Sequence, residues 1–426
     1  MWFLYESLYL LGLLVYLPKT IWRRRLPHPG WSMRLGNYSP QIRQRLVGRQ
    51  SIWVHAVSVG EVLAALPLIR LLTEAYPQHP LVLSTITPTG FAVASRQAMD
   101  GVIPIYFPLD LQGCIRRSLE TIRPRILLLM ESELWPGVIR QVHARELPIV
   151  LINGRISPRT FHRYRILKRW MQGLFDNVNL FLMQSPIDAD RLREIAGPRD
   201  NIHVSGSLKW DASLGSRPAP ERIQTLRQHL RVTDTDTVIV AGSTHRREEK
   251  FLLQAFRAVQ ANYPNARLII APRHLERLSE IQTLIHRERF QLMRVSQMQN
   301  KPWDVALVDT MGELPTYYGL ATLTFIGGSL IAHGGQNPLE AAGLGKPILF
   351  GPFMHNFSEI AQQLLHHQAA RQLSDSDELV SAIQELLSHP ATMAMMGRNA
   401  QELVERSRGA SRRTFEAVAA WVENPG

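Results

Sequence analysis

The chain has 426 residues, 45% of them hydrophobic, enough for two or three domains with sizeable cores. Its formal net charge of +12 points to an anionic partner, whether nucleic acid, anionic lipid or a phosphorylated substrate; the plain alternative is a solubilising basic surface. One cysteine, Cys114, excludes an intrachain disulfide and a cysteine metal cluster, and suits a reducing compartment.

Residues 1 to 18 are apolar apart from Glu6, Ser7 and a few Tyr, and Lys19, Arg23, Arg24 and Arg25 follow them. No Lys or Arg precedes the run, as a secretory signal would require. The pattern predicts an uncleaved, single-pass anchor over 1–25 with the rest of the chain in the cytoplasm. The alternative is a helix lying in the membrane plane or docked on its own domain.

The body then alternates strands and helices. Strands are expected near 51–56, 81–86, 102–106, 125–130, 148–152, 179–184 and 202–205, with helical patterns such as 60–75, 89–99 and 112–121 between them. A Gly/Pro/Ser stretch at 213–222 reads as a linker, after which strands are expected at 237–243, 266–273, 305–309, 322–329 and 346–351. Short, nearly continuous apolar strands between helices indicate parallel sheets covered on both faces. The predicted fold is α/β, with two Rossmann-like, doubly wound domains facing a cleft: 26–212, and 223–426 with its helical tail. Ligands of such sheets sit at the carboxyl ends of strands, so residues just after strands are the candidates.

Glu61 is the first of these, in "SIWVHAVSVGE". Ser58-x-x-Glu61 is a capping-box pattern. Gly60 also allows another molecule close to the backbone, His55 and Ser58 add polar groups, and a Glu at such a turn can take a proton from a hydroxyl. From this stretch alone, cap and base stand even. In "LLLMESELWPG" Glu131 and Glu133 follow a strand; they are either helix-terminus charges or part of an acid group with Glu61. Lys209 in "VSGSLKWD" is a surface lysine or a point charge for a phosphate or carboxylate.

In the second half, "VIVAGSTHRREE" reads as a phosphate cradle of small residues at a helix start, unlike G-x-G-x-x-G or a P-loop, so nicotinamide and ATP are not indicated. Arg273 and His274 end the strand of "IIAPRHLER", and Gly312 and Glu313 start a helix in "DTMGELPTYYG". "FIGGSLIAHGGQNPLEAAGLGKPILFG" places Asn337 at an N-cap, Pro338 at N1 and Glu340 at N3. Glu340 is either part of that cap or the acceptor of a nucleotide's ribose hydroxyls. No spacing suggests a zinc or magnesium site, so no metal and no cofactor are expected.

As an ordered set, "HAVSVGE", "ESELWP", "GSLKWD", "AGSTHRREE", "APRH", "MGEL" and "GGQNPLEAA" resemble the Kdo (3-deoxy-D-manno-octulosonic acid) transferases of lipopolysaccharide assembly. The resemblance covers nearly the whole chain. It implies the two-domain GT-B glycosyltransferase fold, CMP-Kdo as donor, an anionic lipid A precursor (lipid IVA) as acceptor, and inverting transfer without a metal at the inner membrane. It further implies Glu61 as general base, Glu131 and Lys209 as transition-state stabilisers, and CMP contacts at Pro272, Arg273, Met311, Gly312, Glu313, Asn337, Pro338, Leu339 and Glu340. Two positions depart from the family pattern: Gln336, where it often has His, and Arg247, where it often has Gly. The alternative is another GT-B enzyme using a UDP-sugar on a lipid-linked acceptor. No nucleic-acid-binding motif is present.

Overall fold

The structure is a computed structural model that describes residues 5–7, 9–12, 30–97, 101–215, 217–297 and 301–424. It separates into two compact units that part between Ala212 and Ser213 and again between Arg408 and Gly409.

Unit 1 holds a seven-stranded sheet, β3-β2-β1-β4-β5-β6-β7. Its strands are β1 (Ser51–His55), β2 (Leu81–Thr85), β3 (Val102–Tyr106), β4 (Pro124–Met130), β5 (Ile149–Gly154), β6 (Leu180–Met183) and β7 (Ile202–Val204). Every neighbouring pair is parallel. Residues of β1 and β4 are buried on both faces, which is why they read as unbroken apolar runs rather than alternating ones. The helices used below are α1 (Val59–Ala75), α2 (Pro136–His143), α3 (Pro158–Ile166), α4 (Lys168–Phe175) and α5 (Leu208–Gly215).

Unit 2 repeats the plan with the order β10-β11-β9-β8-β12-β13-β14. Here the strands are β8 (Thr237–Thr244), β9 (Ala266–Pro272), β10 (Leu292–Arg294), β11 (Val305–Leu307), β12 (Leu323–Ile326), β13 (Ile348–Phe350) and β14 (Ala370–Gln372), again all parallel. Helix α6 (Glu248–Asn262) follows β8, and α7 (Leu339–Gly343) lies between β12 and β13.

The last helix, α8 (Ala410–Glu423), belongs to unit 1, whereas the sequence reading kept the whole tail with the second domain. Its Ala410, Val418 and Val422 are buried in the core cluster of Ile52, Val54 and Leu68. Asp211 accepts the amides of Gly409 (2.8 Å) and Ser411 (2.6 Å) and so fixes the helix start. An amphipathic stripe shows that a helix packs, not on which sheet.

No helix among the described residues is long and apolar enough to cross a membrane. Most of the expected anchor, 1–25, lies outside the described residues. Those that are described, 5–7 and 9–12, are helical and rest on unit 1. The Tyr5 hydroxyl donates to Asp110 Oδ2 at 2.6 Å, and Glu6 Oε1 accepts the Gln112 amide at 2.8 Å. For the described part, these are contacts of the docked alternative: the polar groups that interrupt the apolar run have partners on their own unit.

Candidate active site

In unit 1 the candidates gather at the carboxyl edge of the sheet, as parallel β/α geometry demands. Helix α1 starts with Ser58 as N-cap, and Ser58 Oγ accepts the Glu61 amide at 3.4 Å. The Glu61 carboxylate turns back: Oε2 accepts the Val57 amide at 2.8 Å and Oε1 accepts the Ser58 hydroxyl at 2.9 Å. The capping reading is therefore real. Yet Glu61 is only 8% exposed, and its carboxyl is pushed up to about 7, first by burial and then by the negative charge of Glu131. The two hydrogen bonds pull the other way without cancelling it.

Strands β1 and β4 are neighbours, which is why Glu131, at the end of β4, reaches the field of Glu61. Glu131 holds φ +55, a left-handed conformation unusual for a non-glycine residue, at a turn that aims its carboxylate. Lys209 Nζ lies 2.8 Å from Glu131 Oε1, both side chains being half-buried. Glu133, two residues on, accepts the Trp135 indole N–H at 3.1 Å, and burial raises its pKa.

His55 is not part of this group. It is fully buried, stacked on Phe107 at 3.7 Å, bonded through Nδ1 to Ser84, and held down to about 3 by burial. A residue that reading the chain did not single out is Asn153, buried at the end of β5 with φ +52. Its Oδ1 accepts the Leu208 amide at 2.9 Å and so sets the start of α5, one residue before Lys209. The signal was present in "LINGR": an Asn before Gly at a strand end tolerates the left-handed region.

In unit 2 the nucleotide candidates lie after β8, β9, β11 and β12. Pro272 closes β9, and exposed Arg273 follows, its amide donating to Thr244 O at 3.0 Å. Met311 is 62% exposed, and Gly312 has φ +86 with open space where a Cβ would stand. Glu313 accepts Thr310 Oγ1 at 2.9 Å and pairs with Arg222 at 2.8 Å. Helix α7 begins one residue later than expected: Pro338 is the N-cap, without a side-chain cap bond. Asn337 still serves the turn, since its Oδ1 accepts the Leu339 amide at 3.1 Å. Glu340 is raised to about 7 by burial, against the pull of the Asn337 side chain and the Arg273 charge. That effect places Arg273 and Glu340 in one neighbourhood.

The expected phosphate cradle at the start of α6 needs correction. Glu248, fully buried, accepts the amides of His245 (2.9 Å), Gly328 (2.6 Å), Ser329 (3.0 Å) and Leu330 (3.0 Å). The amides of the Gly-rich turn after β12 thus already hold a carboxylate of the chain itself. Both departures from the family pattern sit here. Gln336 Nε2 is 3.0 Å from His245 Nε2, whose ring lies 3.9 Å from that of His333. Arg247 adopts φ +85, a conformation suited to glycine. Among the described residues, no group of three or more His, Cys, Asp or Glu could hold a metal ion.

The family model for 3-deoxy-D-manno-octulosonic-acid transferase (kdotransferase) matches residues 29–212. A relative of Haemophilus influenzae named 3-deoxy-D-manno-octulosonic acid transferase is 34% identical over 400 residues, 90% of this chain and 93% of its own length. The chain belongs to the Kdo transferase family. A second relative with that name, from Bordetella pertussis, is 31% identical and covers 87% of each chain. This Kdo transferase family member is therefore a glycosyltransferase. Among solved structures, a UDP-N-acetylglucosamine 2-epimerase is similar with a TM-score of 0.60, covering 89% of this chain and 98% of that one. At 13% identity that likeness establishes the fold of two parallel-sheet α/β domains, shared with GT-B glycosyltransferases, and nothing about the substrate.

Proposed function

We propose that the enzyme transfers Kdo from CMP-Kdo to the lipid A precursor, lipid IVA, with inversion at the anomeric carbon and without a metal. The observation that carries the mechanism is Glu61: a buried carboxylate, fixed by Val57 N–H and the Ser58 hydroxyl, with a pKa of about 7. A base works best when its pKa lies near the operating pH. As the acceptor oxygen forms its bond to the anomeric carbon, Glu61 takes the hydroxyl proton, and the bond to CMP breaks with its electron pair leaving on the phosphate. Lys209, held by Glu131, supplies positive charge as the reaction proceeds. Arg273 balances phosphate, Glu340 takes ribose hydroxyls, and Pro272, Met311–Glu313 and Asn337–Leu339 complete the CMP contacts. The family resemblance supports these assignments.

We place the enzyme at the cytoplasmic face of the inner membrane, attached through residues 1–25. A single spanning pass would require Tyr5 and Glu6 to leave Asp110 and Gln112. The test is transfer from CMP-Kdo to a tetraacylated lipid A precursor in EDTA, followed by mass. Product that forms from a UDP-sugar and not from CMP-Kdo would sink the donor assignment, and full loss of activity in EDTA, restored by a divalent ion, would sink the metal-free mechanism.

A further inference from the structure

Helices α3 and α4 pack on unit 1 through Phe161, Tyr164 and Trp170, which leaves the outer side of their junction in water. Helix α3 buries none of its nine residues. A single residue, Leu167, joins the helices: it is the C-cap of α3 and the N-cap of α4. At that junction Ile166 is 72% exposed and Leu167 is 54% exposed, two adjacent aliphatic side chains in water. Around them Arg159, Arg163, Arg165, Lys168 and Arg169 are all exposed, and none forms an ion pair among the described residues. From Arg155 to Phe175 the sequence contains no Asp or Glu. Elsewhere the protein pairs its basic residues with acids, as at Arg199–Asp176 and Arg277–Glu249.

We propose that this junction is a membrane-docking surface: its cations meet anionic phospholipid headgroups while Ile166 and Leu167 enter the interface. Isolated exposed Ile or Leu needs no explanation, but an apolar pair ringed by uncompensated cations has the composition of an interfacial segment. A nucleic acid fits less well. It would call for free aromatic faces, and Phe161 and Trp170 are packed against the core instead. A second copy of the chain would bring like charge to like charge. The inference deepens the membrane location proposed above, but the surface is defined by its own chemistry and not by the transfer reaction.

The test uses the full chain and vesicle sedimentation. Partition is measured onto pure phosphatidylcholine and onto phosphatidylcholine with about a third phosphatidylglycerol, and the ratio of the two is the readout. Residues 1–25 contribute to both, so their apolar binding largely cancels. Each basic residue near an anionic surface adds about 1 kcal/mol, so Arg163→Gln/Arg165→Gln/Lys168→Gln should lower the ratio by about a hundredfold. Ile166→Ser/Leu167→Ser should weaken partition onto both vesicles by about tenfold. Both variants alter exposed side chains, and thermal unfolding checks that they fold. Transfer to detergent-dispersed acceptor should stay normal; its loss would move the junction into the reaction site and overturn docking. A wild-type ratio near one, an unchanged ratio in the charge variant, or tighter binding to RNA than to vesicles at equal phosphate would also overturn it. A wild type that transfers no Kdo but keeps the vesicle ratio would overturn the reaction and leave the surface standing.

Discussion

Replacing Glu61 by glutamine separates the cap from the base. The amide side chain keeps the shape and can still accept the Val57 amide, and the Ser58 hydroxyl can rotate to accept from the new NH2 group. What is lost is the charge. The Glu61 pKa rises from 4.5 to about 7 on folding. At 1.36 kcal/mol per unit, holding the ionised form above pH 7 costs on the order of 3 kcal/mol. The native state binds this proton more tightly than the unfolded chain, so its stability contribution is full below pH 4.5 and is lost as pH rises through about 7. Against this, an exchanged capping hydrogen bond is worth about 1 kcal/mol. Glu61→Gln should therefore be more stable than wild type at pH 8 by roughly 1–2 kcal/mol and indistinguishable from it at pH 4.5. Its transfer rate should fall by about 10²–10⁴-fold. Urea melts at the two pH values, with rates from CMP-Kdo at pH 8, test both. The wild-type rate should rise with pH through an apparent pKa of about 7, and the variant should lack that limb. A variant that is less stable at pH 8 and keeps a near-normal rate would refute the reasoning and leave Glu61 a cap.

The Lys209–Glu131 pair should tune that same limb. Lys209→Met leaves Glu131 uncompensated and moves the limb up, while Glu131→Gln removes a negative charge beside Glu61 and moves it down; pH–rate profiles read both, and shifts in the same direction would refute the coupling. Glu340→Gln should raise the Kd for CMP by about tenfold or more while leaving the unfolding of unit 1 unchanged, as calorimetric titration and urea melts would show. Arg247 holds φ +85 at an exposed position, so Arg247→Gly should stabilise unit 2 by about 1 kcal/mol, read as a shifted urea midpoint. A destabilised variant would mean the Arg247 side chain makes a compensating contact.

How much of this was legible follows from how each strand is buried. All seven strands of unit 1 were expected within a residue or two, because doubly covered parallel strands read as apolar runs between helices. In unit 2 the two strands that were missed, β10 and β14, are the sheet edges, three residues each, and contain Arg294, Arg371 and Gln372. A short polar edge strand has no run to show. Glu131 stood out because a carboxylate directly follows an apolar strand, and Glu61 because it stands at the turn that opens the next helix. Glu248 did not, because its four amide partners come largely from a turn some eighty residues away. Asn153 escaped because its role depends on a left-handed backbone conformation that only the folded chain reveals.

The two readings of Glu61 that the sequence left even are consequences of one position. At the third residue of α1 a carboxylate must fold back over the helix start, and there Val57 N–H and the Ser58 hydroxyl hold it in a single rotamer. A solvated capping Glu would keep an ordinary or lowered pKa, since those bonds favour the charged form. Here β1 is buried on both faces and Glu131 stands at the next strand end, so burial and like charge outweigh the bonds. The cap fixes where the carboxylate points, and burial with the like charge of Glu131 brings its pKa to about 7, as the proposed base requires. Ser58→Ala should therefore act on catalysis through orientation: a lower kcat and a still higher pKa limb, because a bond to the charged form is lost. A limb that moved down on removing Ser58 would show that the hydroxyl stabilises the protonated acid instead, and the base would have to be sought at Glu131.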